Sequence, residues 1–246
     1  MSFQDHFSSL AKDYARCRPT HPPALFAALA KLAPGRDLAW DCGTGNGQAA
    51  HGLAEHFARV VATDPSEAQL AQAVPHPRIT YGRAAETAPM LADRSVDLVA
   101  AAQAAHWFDR SLFYPEVRRV LRPGGVLAIF NYGLCRVAPE IDRVLQRLYA
   151  ETLGPYWPPE RRLAENNYRD LDFPFLEIEF PRMELERQWT LDEFAGYIRT
   201  WSSVGLYRKA KGTDPVAGMT AELAPVWGAR QRRVTWPVGG RVASLE

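Results

Sequence analysis

From residue 35 to about residue 131 the chain alternates short apolar runs with longer segments in which apolar and polar positions mix. The apolar runs cover residues 38–41, 60–63, 79–82, 96–101 and 126–131, each bounded by turn residues. Runs of this kind read as strands buried on both faces, and the amphipathic segments between them as crossover helices. The alternation predicts a parallel α/β sheet. One helix is expected over residues 47–56. A second opens at Ser66, which forms a capping box with Gln69. A third ends at residues 118–121, stopped by the turn chemistry of Arg122-Pro123-Gly124-Gly125.

The flanks read differently. Residues 1–30 form a helical prelude broken by Pro19, Pro22 and Pro23, because proline cannot continue a helix interior. A helix restarts over residues 24–32. Beyond Pro139 the pattern gives a helix over 141–153, a loop rich in Pro, Trp and Arg over 154–174, and a strand-like stretch over 175–189. Thr190 with Glu193 makes a further capping box that opens a helix through Trp201, and a last helix near 222–227 precedes a strand around 232–237. Three regions follow: a prelude (1–34) covering a ligand site, a nucleotide-type core (35–134), and a cap with the closing strands (135–246). No internal repeat is present.

The strongest chemical signal is Asp41-Cys42-Gly43-Thr44-Gly45-Asn46-Gly47, placed where the first strand turns into a helix. Glycines let the backbone approach a ligand closely and take positive φ. Asp41 can hold the turn or meet a ligand ammonium. Asp64 ends the next strand, where an acid in a doubly wound fold reaches the two hydroxyls of a ribose. A dinucleotide fingerprint would need a third glycine where this chain has Gln48. The loop fits a small polar zwitterion better than a bare diphosphate.

Composition narrows the picture. The 246 residues carry a net charge of +1, with Lys and Arg scattered, so the basic stripe needed for nucleic-acid binding is missing. No eighteen-residue apolar run suggests a membrane span, and the N-terminal segment lacks the order of a secretion signal; a cytoplasmic enzyme is expected. Cys17, Cys42 and Cys135 have neither disulfide-framework nor zinc-ligand spacing, and no metal site is expected.

The residues as a set resemble the class I S-adenosylmethionine-dependent methyltransferases of the type 11 group. Asp41 to Gly47 resembles their first motif, Ala62-Thr63-Asp64-Pro65-Ser66 the ribose-binding second, Ala84-Ala85-Glu86 the adenine-side segment, and Leu121-Arg122-Pro123-Gly124-Gly125 the turn into the fifth strand. A narrower resemblance, to the trans-aconitate methyltransferase-like branch, is carried by Ala105-His106-Trp107-Phe108-Asp109, Gly154-Pro155-Tyr156-Trp157, the segment from Phe194 to Ser202, and the Tyr14 to Pro19 prelude. The resemblance implies a Rossmann-like doubly wound sheet of seven strands with the last antiparallel, a helical cap inserted late in the chain, and S-adenosylmethionine as donor. It implies that Asp41, Gly43 and Gly45 surround the methionyl part, Asp64 the ribose, and Ala85 with Glu86 the adenine. Tyr14, Pro65 and Gln103 complete the cofactor set. Many relatives carry an acid where this chain has Ala84, which leaves the adenine amino group to Glu86 or to backbone.

Methyl transfer from a sulfonium is an in-line displacement, so the protein's tasks are alignment and exclusion of water. His106, after the fourth strand, is the candidate base for a hydroxyl acceptor, or it walls the pocket together with Trp107. A carboxylate acceptor is already ionised and needs no base, only partners that hold it in line. Arg18, Trp107, Trp157, Arg199 and Trp201 are the expected acceptor-binding residues, with Arg161 and Arg162 as further cations. A small acidic molecule, methylated on oxygen, is therefore the expected acceptor. The alternatives are a protein that keeps the cofactor pocket without turnover, and an NAD(P) oxidoreductase.

Overall fold

A computed structural model of the protein describes residues 17–245. Five strands, β1 (Leu38–Cys42), β2 (Arg59–Asp64), β3 (Ile79–Arg83), β4 (Val96–Ala102) and β5 (Leu121–Tyr132), pair in parallel in the order β3-β2-β1-β4-β5. The first four match their apolar runs to within a residue; β5 begins at Leu121, so the expected turn Arg122-Pro123-Gly124-Gly125 lies inside the strand, at a register shift against β4. Every residue of β1, and all but the last of β4, is buried, as a strand covered by helices on both faces requires. Alternation along the strands divides the core into two layers. Ala39, Leu98, Ala100, Ala128 and Phe130 face one layer, whereas Leu38, Trp40, Val99, Leu127 and Ile129 face the other.

The helices follow their local chemistry. α1 (Pro23–Leu32) begins with proline at its first position, where no amide donor is needed, and buries Leu25, Phe26, Leu29 and Ala30. α2 (Gln48–Ala54) follows the glycine loop. α3 (Glu67–Leu70) is a single short turn. Its Ser66 hydroxyl accepts from the Gln69 N–H at 3.3 Å, which is one half of the expected capping box. α4 (Arg110–Val120) is capped by Asp109, whose carboxylate accepts from the Ser111 N–H.

Beyond β5 come α5 (Pro139–Arg147), continued by a wider turn over Leu148–Thr152, and α6 (Arg161–Glu165). The expected helix through Trp201 ends two residues earlier, at Arg199, and a further helix that the sequence did not suggest follows it. α7 (Leu191–Arg199) carries the full Thr190–Glu193 capping box, and α8 (Ser202–Lys211) begins after Thr200 and Trp201. The helix expected near 222–227 is the second half of α9 (Pro215–Trp227).

The sheet closes with β8 (Arg232–Ser244), antiparallel to β5, as expected for the last strand. Among the described residues eight strand segments fill the seven expected positions. The stretch expected as one strand over 175–189 is cut into β6 (Leu176–Ile178) and β7 (Met183–Trp189), because Pro181 between them has no N–H for the ladder. Both segments pair with β8, β6 along Val242–Ser244 and β7 along Arg232–Val238, so they share one position across the sheet. No helix among the described residues is long and apolar enough to cross a membrane. The strand order reverses between β1 and β4, the switch point at whose carboxyl edge doubly wound folds bind ligands.

Candidate active site

At that edge the chain leaves β1 through Gly43, with φ of +72°. A side chain there would bring its Cβ within 2.6 Å of the Ala104 Cβ and against the Phe108 ring, so both the conformation and the space call for glycine. The N–H groups of Gly43 and Thr44 donate to the Thr63 carbonyl at 2.8 and 2.9 Å, which folds the loop over the end of β2. Asp41, fully buried, accepts from the Thr44 hydroxyl at 2.5 Å through Oδ2. Burial pushes its carboxyl up to about 7; the Thr44 bond opposes the shift and the Asp64 charge adds to it. Its Oδ1 has no hydrogen-bond partner among the described residues.

Asp64 ties this loop to the next one. Its Oδ2 accepts from the Gly45 N–H and its Oδ1 from the Ser66 N–H, both at 2.8 Å. After β4, Gln103 takes φ of +57°, a left-handed conformation that costs a non-glycine residue on the order of 1 kcal/mol. Its N–H donates to the Phe130 carbonyl at 2.8 Å. A short turn, Ala105–Trp107, then presents His106 and Trp107.

These pieces border one cavity of about 1390 Å³. Of the residues expected at a cofactor, Gly43, Gly45, Asp64, Pro65, Ala85, Glu86 and Gln103 line it. Asp41 lies behind the loop rather than on the wall. Glu86 accepts from the Asp109 N–H at 3.0 Å. Of the residues expected at an acceptor, His106, Trp107 and Trp157 are on the wall. Tyr14 lies outside the described residues.

The remaining expected residues are placed elsewhere by their own partners. Arg18 donates to the Thr200 hydroxyl (2.9 Å), the Tyr132 hydroxyl (3.1 Å) and the Thr200 carbonyl (3.2 Å), and so ties the segment before α1 to the ends of α7 and β5. Arg199 faces Asp214 at 2.9 Å, sharing that carboxylate with Arg208 at the junction of α7, α8 and α9. Trp201 is buried behind the wall, its ring 5.5 Å from that of Trp157. Neither arginine nor Trp201 borders the cavity. Arg110 borders the cavity, and Arg161 sits against Trp157 on its wall, the guanidinium carbon 4.9 Å from the centre of the Trp157 ring.

His106 is 5% exposed, with Nδ1 3.2 Å from the Tyr168 hydroxyl. Burial, with the Arg161 charge second, lowers its pKa to about 3, so the ring is uncharged at neutral pH and a weak base. Tyr168 itself has φ of +64°, an uncommon backbone state for a bulky residue, held here in full burial against His106. Sequence reasoning missed His21 and Tyr132 on the wall, and Lys209 near the cap. Tyr132 was within reach of it, one position past the apolar run that ends at residue 131; Lys209 carries no local signal.

Residues 40–129 match a family described as a methyltransferase domain. Over 216 residues the chain is 35% identical to a Dictyostelium discoideum protein named as a methyltransferase, covering 86% of this chain and 82% of that one. The chain belongs to the class I S-adenosylmethionine-dependent methyltransferases. A methyltransferase structure from Anaeromyxobacter dehalogenans superimposes on this methyltransferase with a TM-score of 0.87 and 50% identity, covering 92% of this chain and 97% of that one. A malonyl-[acyl-carrier protein] O-methyltransferase of Dechloromonas aromatica is 35% identical over 136 residues, half of each chain. The methyltransferase fold therefore spans the cap as well as the core.

Proposed function

We propose that this methyltransferase transfers the methyl group of S-adenosylmethionine to a carboxylate oxygen of a small acid, in the manner of the trans-aconitate-like branch. The residues present fit the donor. Gly43 and Gly45 bring loop backbone to the cavity wall with no side chain between, and Asp41, behind the loop with an unpaired Oδ1, is the acid that an ammonium bound there would draw into its ionised form. Asp64 on the wall suits the ribose hydroxyls, with Pro65, Ala85 and Glu86 around the adenine. When bound, S-adenosylmethionine supplies an electrophilic methyl carbon on a sulfonium.

One observation carries the choice of acceptor: the two imidazoles on the cavity wall, His106 and His21, are both weak bases, with pKa values lowered by burial to about 3 and about 4. A hydroxyl acceptor must lose a proton as it reacts, and a general base works best with a pKa near the working pH. A carboxylate brings its own electron pair. Its oxygen forms a bond to the methyl carbon, the carbon–sulfur bond breaks, and that pair returns to sulfur, giving a methyl ester and a thioether with no proton moved. The malonyl relative, whose name places a carboxylate as its acceptor, supports the same reading.

On this reading the cap region (135–246) supplies the acceptor wall. Trp157 shapes it and excludes water, and Lys209, with Arg110 from the core, gives positive charge at its edge. His106 holds Tyr168 and walls the pocket. The test is an assay with methyl-labelled S-adenosylmethionine over a panel of small carboxylic acids that includes trans-aconitate. The expected product is a base-labile methyl ester. Label found only in base-stable ethers or amines of other acceptors would overturn the proposal.

A further inference from the structure

His21 lies just before α1, between Thr20 and Pro22, and is 8% exposed. Its ring stands edge-on to Phe130 at 4.9 Å and tilted to Tyr132 at 5.5 Å, with Phe26 at 6.4 Å. Both ring nitrogens are buried, and neither has a hydrogen-bond partner among the described residues. Among such aromatic neighbours a phenyl ring would fill the space without that penalty, since a buried polar atom left unpaired loses the bond it makes to water. His21 also borders the cavity, so a turn of the ring that brings a nitrogen to the wall lets a ligand there supply the missing partner.

Topology fixes which end of the cavity His21 meets. Asp64 ends β2, and Ala85 and Glu86 follow β3, on one side of the switch point. Phe130 and Tyr132 belong to β5, on the other side beyond β4. A ribose and adenine over β2 and β3 leave His21 to the reacting end. We propose that His21 is a positioning residue that donates a ring N–H to the carboxylate oxygen of the acceptor that does not attack. This inference deepens the carboxylic-acid reading above and rests on it. An uncharged donor suits the task. A tight ion pair with a buried guanidinium would hold the carboxylate but draw electron density from a nucleophile that is already weak; an imidazole N–H orients it at a smaller loss of reactivity.

Protein labelled with ¹⁵N-histidine provides a test that does not depend on turnover. With the enzyme saturated by S-adenosylhomocysteine, addition of trans-aconitate is expected to move the His21 ring nitrogen signals, which the His21→Phe variant identifies by their loss. His21→Phe keeps the aromatic packing, and His21→Gln keeps an N–H donor. For a turned-over acid, kcat/KM is expected to fall roughly 10- to 100-fold in His21→Phe, with a smaller loss in His21→Gln. The Kd for S-adenosylhomocysteine is expected to stay within about twofold in both variants, since neither touches the ribose or adenine end. Signals that move with S-adenosylhomocysteine alone assign the ring to the donor and overturn the proposal. Equal losses in the two variants, or none in either, overturn it as well while leaving a methylated acid in place. If trans-aconitate and the rest of the acid panel fail to bind the wild-type complex, the carboxylic-acid reading falls and this inference with it.

Discussion

The two ends of the cavity are built in different ways. At the β1–β2 end the polar groups are held by nearby loop groups: Asp41 by the Thr44 hydroxyl, Asp64 by the N–H groups of Gly45 and Ser66, and the loop itself by the Thr63 carbonyl. At the cap end the wall is held by rings, some of them from distant segments, and by a cation from the same loop. Trp157 packs against Arg161 and Trp201, and His106 leans on Tyr168, sixty-two positions along the chain. The first arrangement fixes charge and hydrogen-bond direction, which suits the donor proposed there. The second fixes shape, which on the same proposal can change with the acceptor while the donor end stays as it is.

The largest test of this contrast is Asp41, a charge buried at the rigid end. Its carboxyl, ordinarily near 3.8, is raised to about 7 by burial, so the folded protein holds the proton more tightly than the unfolded chain. The stability this contributes is complete below about pH 4, where both states are protonated, and is lost as pH rises through 7, by roughly 4 kcal/mol in total. Asp41→Asn has no such proton. Urea unfolding of wild type and Asp41→Asn from pH 4 to 8 is expected to show the variant gaining on wild type across that window. A constant difference between the two would mean that Asp41 is not desolvated. Saturating S-adenosylmethionine, by offering an ammonium to the ionised form, is expected to flatten the wild-type slope.

The next effect in size belongs to Asp64. Its carboxylate both staples the glycine loop and faces the cavity, so Asp64→Ala removes the proposed ribose partner and a loop restraint together. The affinity for S-adenosylhomocysteine is expected to fall by on the order of 2–4 kcal/mol, read by calorimetry. An unchanged Kd would show that this end is not organised by the carboxylate, and the contrast drawn above would fail.

The same difference explains what could be read from the chain alone. The glycine loop and Asp64 were legible because their chemistry is local: a strand end, a run of glycines, an acid at the end of the next strand. The wall of the cap was legible only as composition. Trp157 was expected at the acceptor and lines the cavity; Trp201, of the same residue type, is packed behind it, and nothing in their local sequences separates the two. His21 stands among prolines that signal a helix break and gives no hint of a cavity. Local signals also misled. The last strand was expected around residues 232–237, yet β8 runs on through Gly239 and Gly240 to Ser244. Glycine serves there for close approach, since a Cβ on Gly240 would strike the β5 backbone at the Ile129 carbonyl.

Arg199 gives the smallest effect and separates charge from shape at the cap end. Its residue type and its place in a segment resembling the trans-aconitate branch point to an acceptor carboxylate, but its guanidinium faces Asp214, which Arg208 also holds. The pair is about a third exposed, so its contribution to stability is small and screened by salt. Arg199→Ala is expected to cost under about 1 kcal/mol in urea unfolding, because Arg208 keeps Asp214 paired. Neither the KM for an acidic acceptor nor the Kd for S-adenosylhomocysteine is expected to change. A rise in KM alone would bring Arg199 into the acceptor site and show that the cap selects by charge as the core does. A rise in both constants would mean that the helix junction at Asp214 holds the whole wall in place.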